Sequence, residues 1–268
     1  MIPAWNLLFL PLGVVVGVVA GLFGIGGGVV MVPVMTTLFL SHGFDADRAL
    51  HLALGSSMAI IIPTAISALR EHQRQRGVLW IVVLRLAPAV VIGSLLAPLF
   101  ATALPPLALA IFFILFISVV ALQLLLQIKP QGSHPLPGHW GMSGAGLVIG
   151  VISSLVAIGG GTLTVPFLIR CRVDLRRAIA TSAAVGVVIA SAGTVGYISA
   201  GWAVTDAEAL TLGYLYIPAV ILTAVTSVLT APWGARLAHS LPLLALRRLF
   251  AALLLLLGLK MLYTLSVV

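Results

Sequence analysis

The residues of this chain with the most distinctive chemistry are not side chains at all. Three glycines stand in succession at Gly26, Gly27 and Gly28, and again at Gly159, Gly160 and Gly161, with Pro33 or Pro166 five residues beyond each set. Each glycine disfavours helix by about 1 kcal/mol relative to alanine and makes positive φ accessible. Within apolar surroundings the pattern predicts a helix, an unwound turn and a short second helix. Val32 and Val165, each before a proline, are pushed toward extended backbone, and the proline suits the first position of the new helix. Amide N–H groups at such a start lack intrahelical acceptors and lie at the positive end of the helix dipole, so they can hold an anion without a basic side chain.

Hydroxyl groups cluster near these breaks. Thr162 and Thr164 follow the second set, where the first has Val29 and Met31, so a ligand site built on both would be lopsided. Ser56 and Ser57, and Thr181 and Ser182, sit early in the segments that follow and are candidates for the same pocket. Each hydroxyl has a second reading, because buried Ser and Thr also bond to their own helix carbonyls. Arg85, about two turns into an apolar segment, is either a snorkelling side chain or an anion guide.

Other chemistry is poorly provided for. No HExxH, GxSxG or paired intramembrane carboxylates occur, and all six acidic residues fall in loops or at segment ends, so an enzyme is not expected. The glycines fit neither a phosphate-binding GxxxxGK[ST] loop nor a dinucleotide fingerprint. Cys171 is the single cysteine, and His134 and His139 have no ligating partners nearby in sequence, so neither a metal nor a cofactor is expected.

The elements that must position the glycines are membrane helices. With 61% hydrophobic and 7% charged residues and a mean hydropathy of +1.24, the 268-residue chain cannot cover a soluble globule. Apolar runs at 78–100, 105–128, 178–200 and 209–233 reach or approach the roughly 20 residues of a spanning helix. Alternating short segments of a β-barrel are absent. The fold class is an all-α integral membrane protein of about 8 to 10 membrane helices, with no removable signal peptide expected at its start. The net charge of +8 resides in short loops and not on one patterned face, so membrane orientation explains it and nucleic acid does not.

The chain also repeats itself. Residues 13–33, GVVVGVVAGLFGIGGGVVMVP, and 146–166, GLVIGVISSLVAIGGGTLTVP, are identical at 11 of 21 positions with an offset of 133 (146 minus 13). Duplication explains this better than shared greasiness, because the glycines and the proline recur. The organisation is a first repeat at 1–128, a Pro/Gly/His-rich linker at 129–140 and a second repeat at 141–268. Five segments are expected in each: 7–24, 29–40, 49–69, 78–100 and 105–128, then 141–158, 162–169, 178–200, 209–233 and 243–265. The small-residue rows Gly13/Gly17/Gly21 and Gly146/Gly150/Ser154 read as helix-packing seams.

Basic residues set orientation. Arg70, Arg74, Arg76, Lys129, Arg170, Arg172, Arg176, Arg177, Arg236, Arg247 and Arg248, 11 of the 14 Lys and Arg, fall in one set of loops, cytoplasmic by the positive-inside rule. The opposite loops hold Asp45, Asp47, Arg48, Asp206 and Glu208. Both termini are then outside and the repeats are inverted. The glycine-bearing pairs either span or re-enter, and 162–169 is short enough to favour a half-crossing.

The paired motifs GLFGIGGGVVMVP and SLVAIGGGTLTVP, each followed by an Ala-rich helix with a Ser or Thr pair, resemble the sulfite exporter TauE/SafE family, the sulfonate uptake permeases. The resemblance extends over nearly the whole chain, to LPLLALRRLFAALLLLLGLKML, and the ALGSS of the first repeat looks like a variant of the family's usual Thr-Ser pair. It implies a multi-pass permease of the bacterial inner membrane, in contact with lipid, that moves sulfite, a sulfonate, sulfoacetate or thiosulfate. Alternating access around the two glycine breaks is the expected mechanism. An anion channel or a non-transporting membrane partner is the alternative. Which anion, its direction, its coupling ion and whether the protein is a homo-oligomer stay open.

Overall fold

The computed structural model of the chain describes residues 4–23, 27–74, 76–126, 134–206, 210–240, 248–249 and 251–260. Ten helices lie among the described residues: α1 (Phe9–Phe23), α2 (Gly28–Ser41), α3 (Ala46–Arg74), α4 (Trp80–Ala103), α5 (Pro106–Leu125), α6 (His139–Leu155), α7 (Gly161–Arg170), α8 (Leu175–Ala200), α9 (Ile217–Ser240) and α10 (Ala251–Lys260). A short turn, Ala4–Leu8, leads into α1. Six of the described helical stretches are long and apolar enough to cross a membrane: Ala4–Gly21, Ala46–Arg74, Trp80–Ala103, Pro106–Gln123, Leu175–Ala200 and Ile217–Gly234. The protein is an all-α membrane protein. At 10 residues, α7 is about 15 Å long, half of a hydrocarbon core.

Burial sorts the helices by composition. α3 is buried without interruption from Ala49 to Ile61, and α8 is buried over most of its length, so these two form the centre and pack on each other. A helix that hides all its faces needs small or apolar residues all round, which LHLALGSSMAII and the Ala/Gly-rich α8 supply. α5 has an outer row at Leu107, Ile111, Leu115, Val119 and Leu122, exposed apolar surface of the kind that lipid covers.

The packing crosses between the two ends of the chain. α1 lies against α9 and α6 against α4, while α3 meets α9 and α8 meets α4. Small residues let these backbones touch. A Cβ on Gly13 or Gly17 would collide with the Thr223 or Ser227 backbone of α9, and one on Gly146 or Gly150 with the Leu86 or Val90 carbonyl of α4.

Two hydrogen bonds fix the ends of the bundle. The Leu79 N–H, just before α4, donates to the Thr181 hydroxyl of α8 at 3.0 Å, bringing the arginine-bearing α3–α4 and α7–α8 connections together. The Tyr216 N–H, just before α9, donates to the Ser56 hydroxyl of α3 at 2.9 Å. That end carries Asp45, Asp206 and Arg48 around a shared cavity.

Two sequence expectations need correction here. The apolar stretch 209–233 does not begin as helix: Thr211–Leu212 and Leu215–Tyr216 (β1 and β2) pair as a minute hairpin, turned at Gly213 with φ +57°, and α9 starts only at Ile217. The prolines do not open the short helices either, because α2 and α7 begin at Gly28 and Gly161 and leave Pro33 and Pro166 as their sixth residues. Each proline therefore withholds a hydrogen bond from the carbonyl four residues earlier, Val29 or Thr162. Gly26, Lys129, Glu208 and Arg247 lie outside the described residues.

Candidate functional site at the paired helix breaks

The two breaks touch. Gly28, the first residue of α2, has no room for a side chain because a Cβ there would enter the carbonyl oxygen of Ala157, within the second break. Gly27 caps α2 in the left-handed region at φ 72°. The second break is built differently. Ile158 N–H bonds the Ser153 carbonyl at 2.9 Å and Ala157 N–H bonds the Ser154 carbonyl at 3.4 Å, which closes α6 with the terminal motif that usually uses glycine. Here Ala157 takes that place at φ 50°. Ala157→Gly should therefore raise stability by about 1 kcal/mol, readable as a higher thermal midpoint, by removing a Cβ from left-handed backbone.

Gly159 and Gly160 are buried and Gly161 is half-buried. Their value is close approach, since a Cβ on Gly160 would strike the Ser182 carbonyl and come within 2.7 Å of Gly186 N on α8. α7 thus starts against the backbone of the central helix, with Thr164 N–H bonding the Gly160 carbonyl at 3.0 Å.

Hydroxyls decide what this junction can do. Thr164 is fully buried and its oxygen has no hydrogen-bond partner; Thr162 is half-buried, but its hydroxyl is likewise enclosed and unpartnered. Ser153 and Ser154, at the end of α6, add two more buried hydroxyls without partners. Ser154 also takes the Tyr197 hydroxyl on its carbonyl at 3.1 Å, and its own Oγ lies beside Gly193 and near Met58. An unsatisfied buried polar group costs about 1–3 kcal/mol, so four within one turn on either side of a break is a large departure from a satisfied interior.

A family of membrane proteins matches this chain from residue 9 to residue 261, under the description Sulfite exporter TauE/SafE. The chain belongs to that family. Among its relatives, a "Probable membrane transporter protein" of Haemophilus influenzae is 33% identical over 260 residues, covering 95% of this chain and 97% of the relative. A protein of the same description from Methanocaldococcus jannaschii is 26% identical over 266 residues, 96% of both chains. One from Bacillus subtilis is 26% identical over 178 residues, 58% of this chain and 64% of its own length. No solved structure matches the chain. This TauE/SafE protein is thus a multi-pass membrane transporter protein by family.

Not every candidate from the sequence gathers at the junction of this TauE/SafE chain. Ser56 and Thr181 are fully buried with their oxygens already accepting Tyr216 and Leu79 N–H. Ser57 contacts Met35 Sδ at 3.9 Å, and Ser182 donates to the Ile179 carbonyl at 2.8 Å while its own carbonyl lies against Gly160. Arg85 is exposed on α4 beside Ile81 and Leu84, with no place at the breaks. Sequence reasoning missed Ser153 as a polar group and took Ser154 for packing alone; the doublet Ser153-Ser154, against Ala20-Gly21 in the first repeat, was the available signal. Thr181→Val should lower stability by about 1–3 kcal/mol in a thermal melt, because it strands the Leu79 N–H.

Proposed function

We propose that this chain is a secondary transporter for a small sulfur-containing oxyanion such as sulfite, a sulfonate, sulfoacetate or thiosulfate, working by alternating access around the two glycine breaks and not as an enzyme. The observation that carries the reading is the pair of unpartnered hydroxyls on Thr162 and Thr164 in the first turn of α7, with its helix-start amides, and the Ser153 and Ser154 hydroxyls that end α6 are unpartnered among the described residues as well. An oxyanion presents only acceptors, so it takes hydrogen bonds from hydroxyls and from free helix-start amides, and the dipole end favours its charge. In this reading Thr162 and Thr164 with the Gly159–Gly161 backbone hold the anion, and Gly27 and Gly28 form the facing wall. Ser56, Ser57, Thr181 and Ser182 brace the surrounding helices, and Arg85 snorkels.

Two inverted repeats, 1–128 and 141–268 with a linker between, are part of the proposal. The reciprocal pairing of α1 with α9 and α6 with α4, and of the Ser56–Tyr216 and Thr181–Leu79 bonds, supports them. So does the charge on the two ends of the bundle: Arg70, Arg74, Arg76, Arg170, Arg172, Arg176 and Arg177 cluster about one, which puts it on the cytoplasmic side of a bacterial inner membrane. Uptake into proteoliposomes of sulfite, sulfoacetate, thiosulfate and a carboxylate control tests the reading. Saturating flux and counterflow for a sulfur oxyanion are expected; flux that never saturates identifies a channel, and no flux of any anion leaves the family's transport role to another substrate class.

A further inference from the structure

His51 is the one histidine buried inside the helical core among the described residues, at 4% exposure on α3, and its Nδ1 is enclosed with no hydrogen-bond partner. It stands one turn before Gly55 and Ser56, where the β1–β2 hairpin docks: Ser56 takes the Tyr216 N–H, and Gly55 is small because the Tyr214 carbonyl lies where its Cβ would be. The Tyr214 ring faces His51 at 5.1 Å between centroids. Tyr214 and Leu52 both line a cavity of about 250 Å³, together with His42, Asp45, Arg48, Asp206 and Thr211. The imidazole is therefore separated from an open cavity by the hairpin's own tyrosine.

We propose that His51 is a proton-binding site that governs release of the β1–β2 hairpin, so that acidity opens this end of the transporter. The inference rests on the transport reading for its purpose but not for its geometry. A proton added to the ring makes both nitrogens donors, and the enclosed Nδ1 has nothing to donate to while the hairpin is docked. Undocking admits water and brings the ring toward the carboxylates at this end. The titratable and charged groups around it are Asp47 and Arg48 on its own helix, Tyr214 against its ring, Tyr197 and Tyr216 beside Gly55 and Ser56 one turn on, and His42, Asp45 and Asp206 around the cavity that Tyr214 lines. α5 and the first turns of α9 carry no titratable side chain. The hairpin is held by hydrogen bonds from Gly213 to Thr205, Thr211 to Asp206, Tyr214 to the Tyr197 carbonyl, Tyr216 N–H to Ser56 and the Tyr216 hydroxyl to Asn6 Oδ1, with the Tyr216 ring packed among Trp5, Phe9, Phe39 and Phe44, and these are the contacts its release must break.

The test needs no anion. A cysteine replaces Leu215 of β2, 4% exposed and off the cavity wall, in a Cys171→Ala background in lipid nanodiscs, and its alkylation by a hydrophilic maleimide is followed from pH 8 to pH 5. Dividing each rate by that of the exposed Ala203→Cys protein removes the effect of thiolate content. With His51 in place the ratio should rise about tenfold as pH falls; His51→Gln and His51→Asn should hold it flat while eluting as single species. A flat ratio with His51 present overturns the proposal without reference to any variant, and so does an unchanged rise in either variant. Because no substrate enters, a failure here is separable from a failure to find a transported anion.

Discussion

Gly28→Leu is expected to abolish transport in proteoliposomes and to remove most monodisperse protein from size-exclusion profiles, whereas Gly144→Leu on α6 should change neither. Gly144 has open space where its side chain would grow. Gly28 has the Ala157 carbonyl there and the Ile61 Cδ1 at 3.0 Å. Ala157 cannot retreat easily: it is fully buried, its N–H and that of Ile158 are tied to α6 carbonyls, and its left-handed backbone has few alternatives. Extra methylenes in a packed interior cost about 1–3 kcal/mol when neighbours can adjust, and a collision with fixed backbone costs more, against a total stability of about 5–15 kcal/mol. Gly28→Ala, one carbon smaller, should fall between. If Gly28→Leu behaves as Gly144→Leu does, the two breaks do not meet through these residues.

That contact shows how far the sequence could be read. The glycines, prolines and apolar runs act locally, so α2 and α7 came out within one residue of their expected bounds, 28–41 against 29–40 and 161–170 against 162–169, whereas α9 starts eight residues later than its apolar run because a hairpin occupies the beginning. What the glycines are for was only half legible. Both triplets make positive φ available, yet only Gly27 among the described members uses it, and the second break turns on Ala157. Its counterpart 133 residues earlier is Gly24, so the repeat comparison held a hint that the second half makes its turn without a glycine. The need for close backbone approach at Gly28 and Gly160 depends on partners about 130 and 22 residues away, which no local pattern encodes.

The candidate site was legible in its hydroxyls and not in their partners. Ser56 and Thr181 looked alike in sequence and do act alike, but as acceptors for an N–H at the start of a helix from the other half, 160 and 102 residues distant. The lopsided pair Thr162 and Thr164 proved informative for the opposite reason: nothing among the described residues satisfies their hydroxyls. A hydroxyl's type is written in the sequence, whereas its satisfaction is a property of everything packed around it.

Thr164→Val should raise the thermal midpoint of the anion-free protein and at the same time raise the KM for anion flux about tenfold. The substitution keeps the branched shape and removes a buried hydroxyl that has no partner, so the anion-free state gains about 1–3 kcal/mol. The anion-bound state loses a donor to a charged ligand, and a tenfold change corresponds to about 1.4 kcal/mol. Thr164→Ser tests the same idea with the signs exchanged: it keeps the donor and deletes a buried methyl, so stability should drop while KM stays close to wild type. A hydroxyl that is only part of the packing would give the stability changes and leave KM untouched in both variants, and that result would remove Thr164 from the site. Thr162→Val should move KM in the same direction and also raise stability, because its hydroxyl is likewise enclosed and without a partner among the described residues. Opposed changes in stability and affinity at one atom mark a group held unsatisfied for its ligand, since a core residue has no reason to show them.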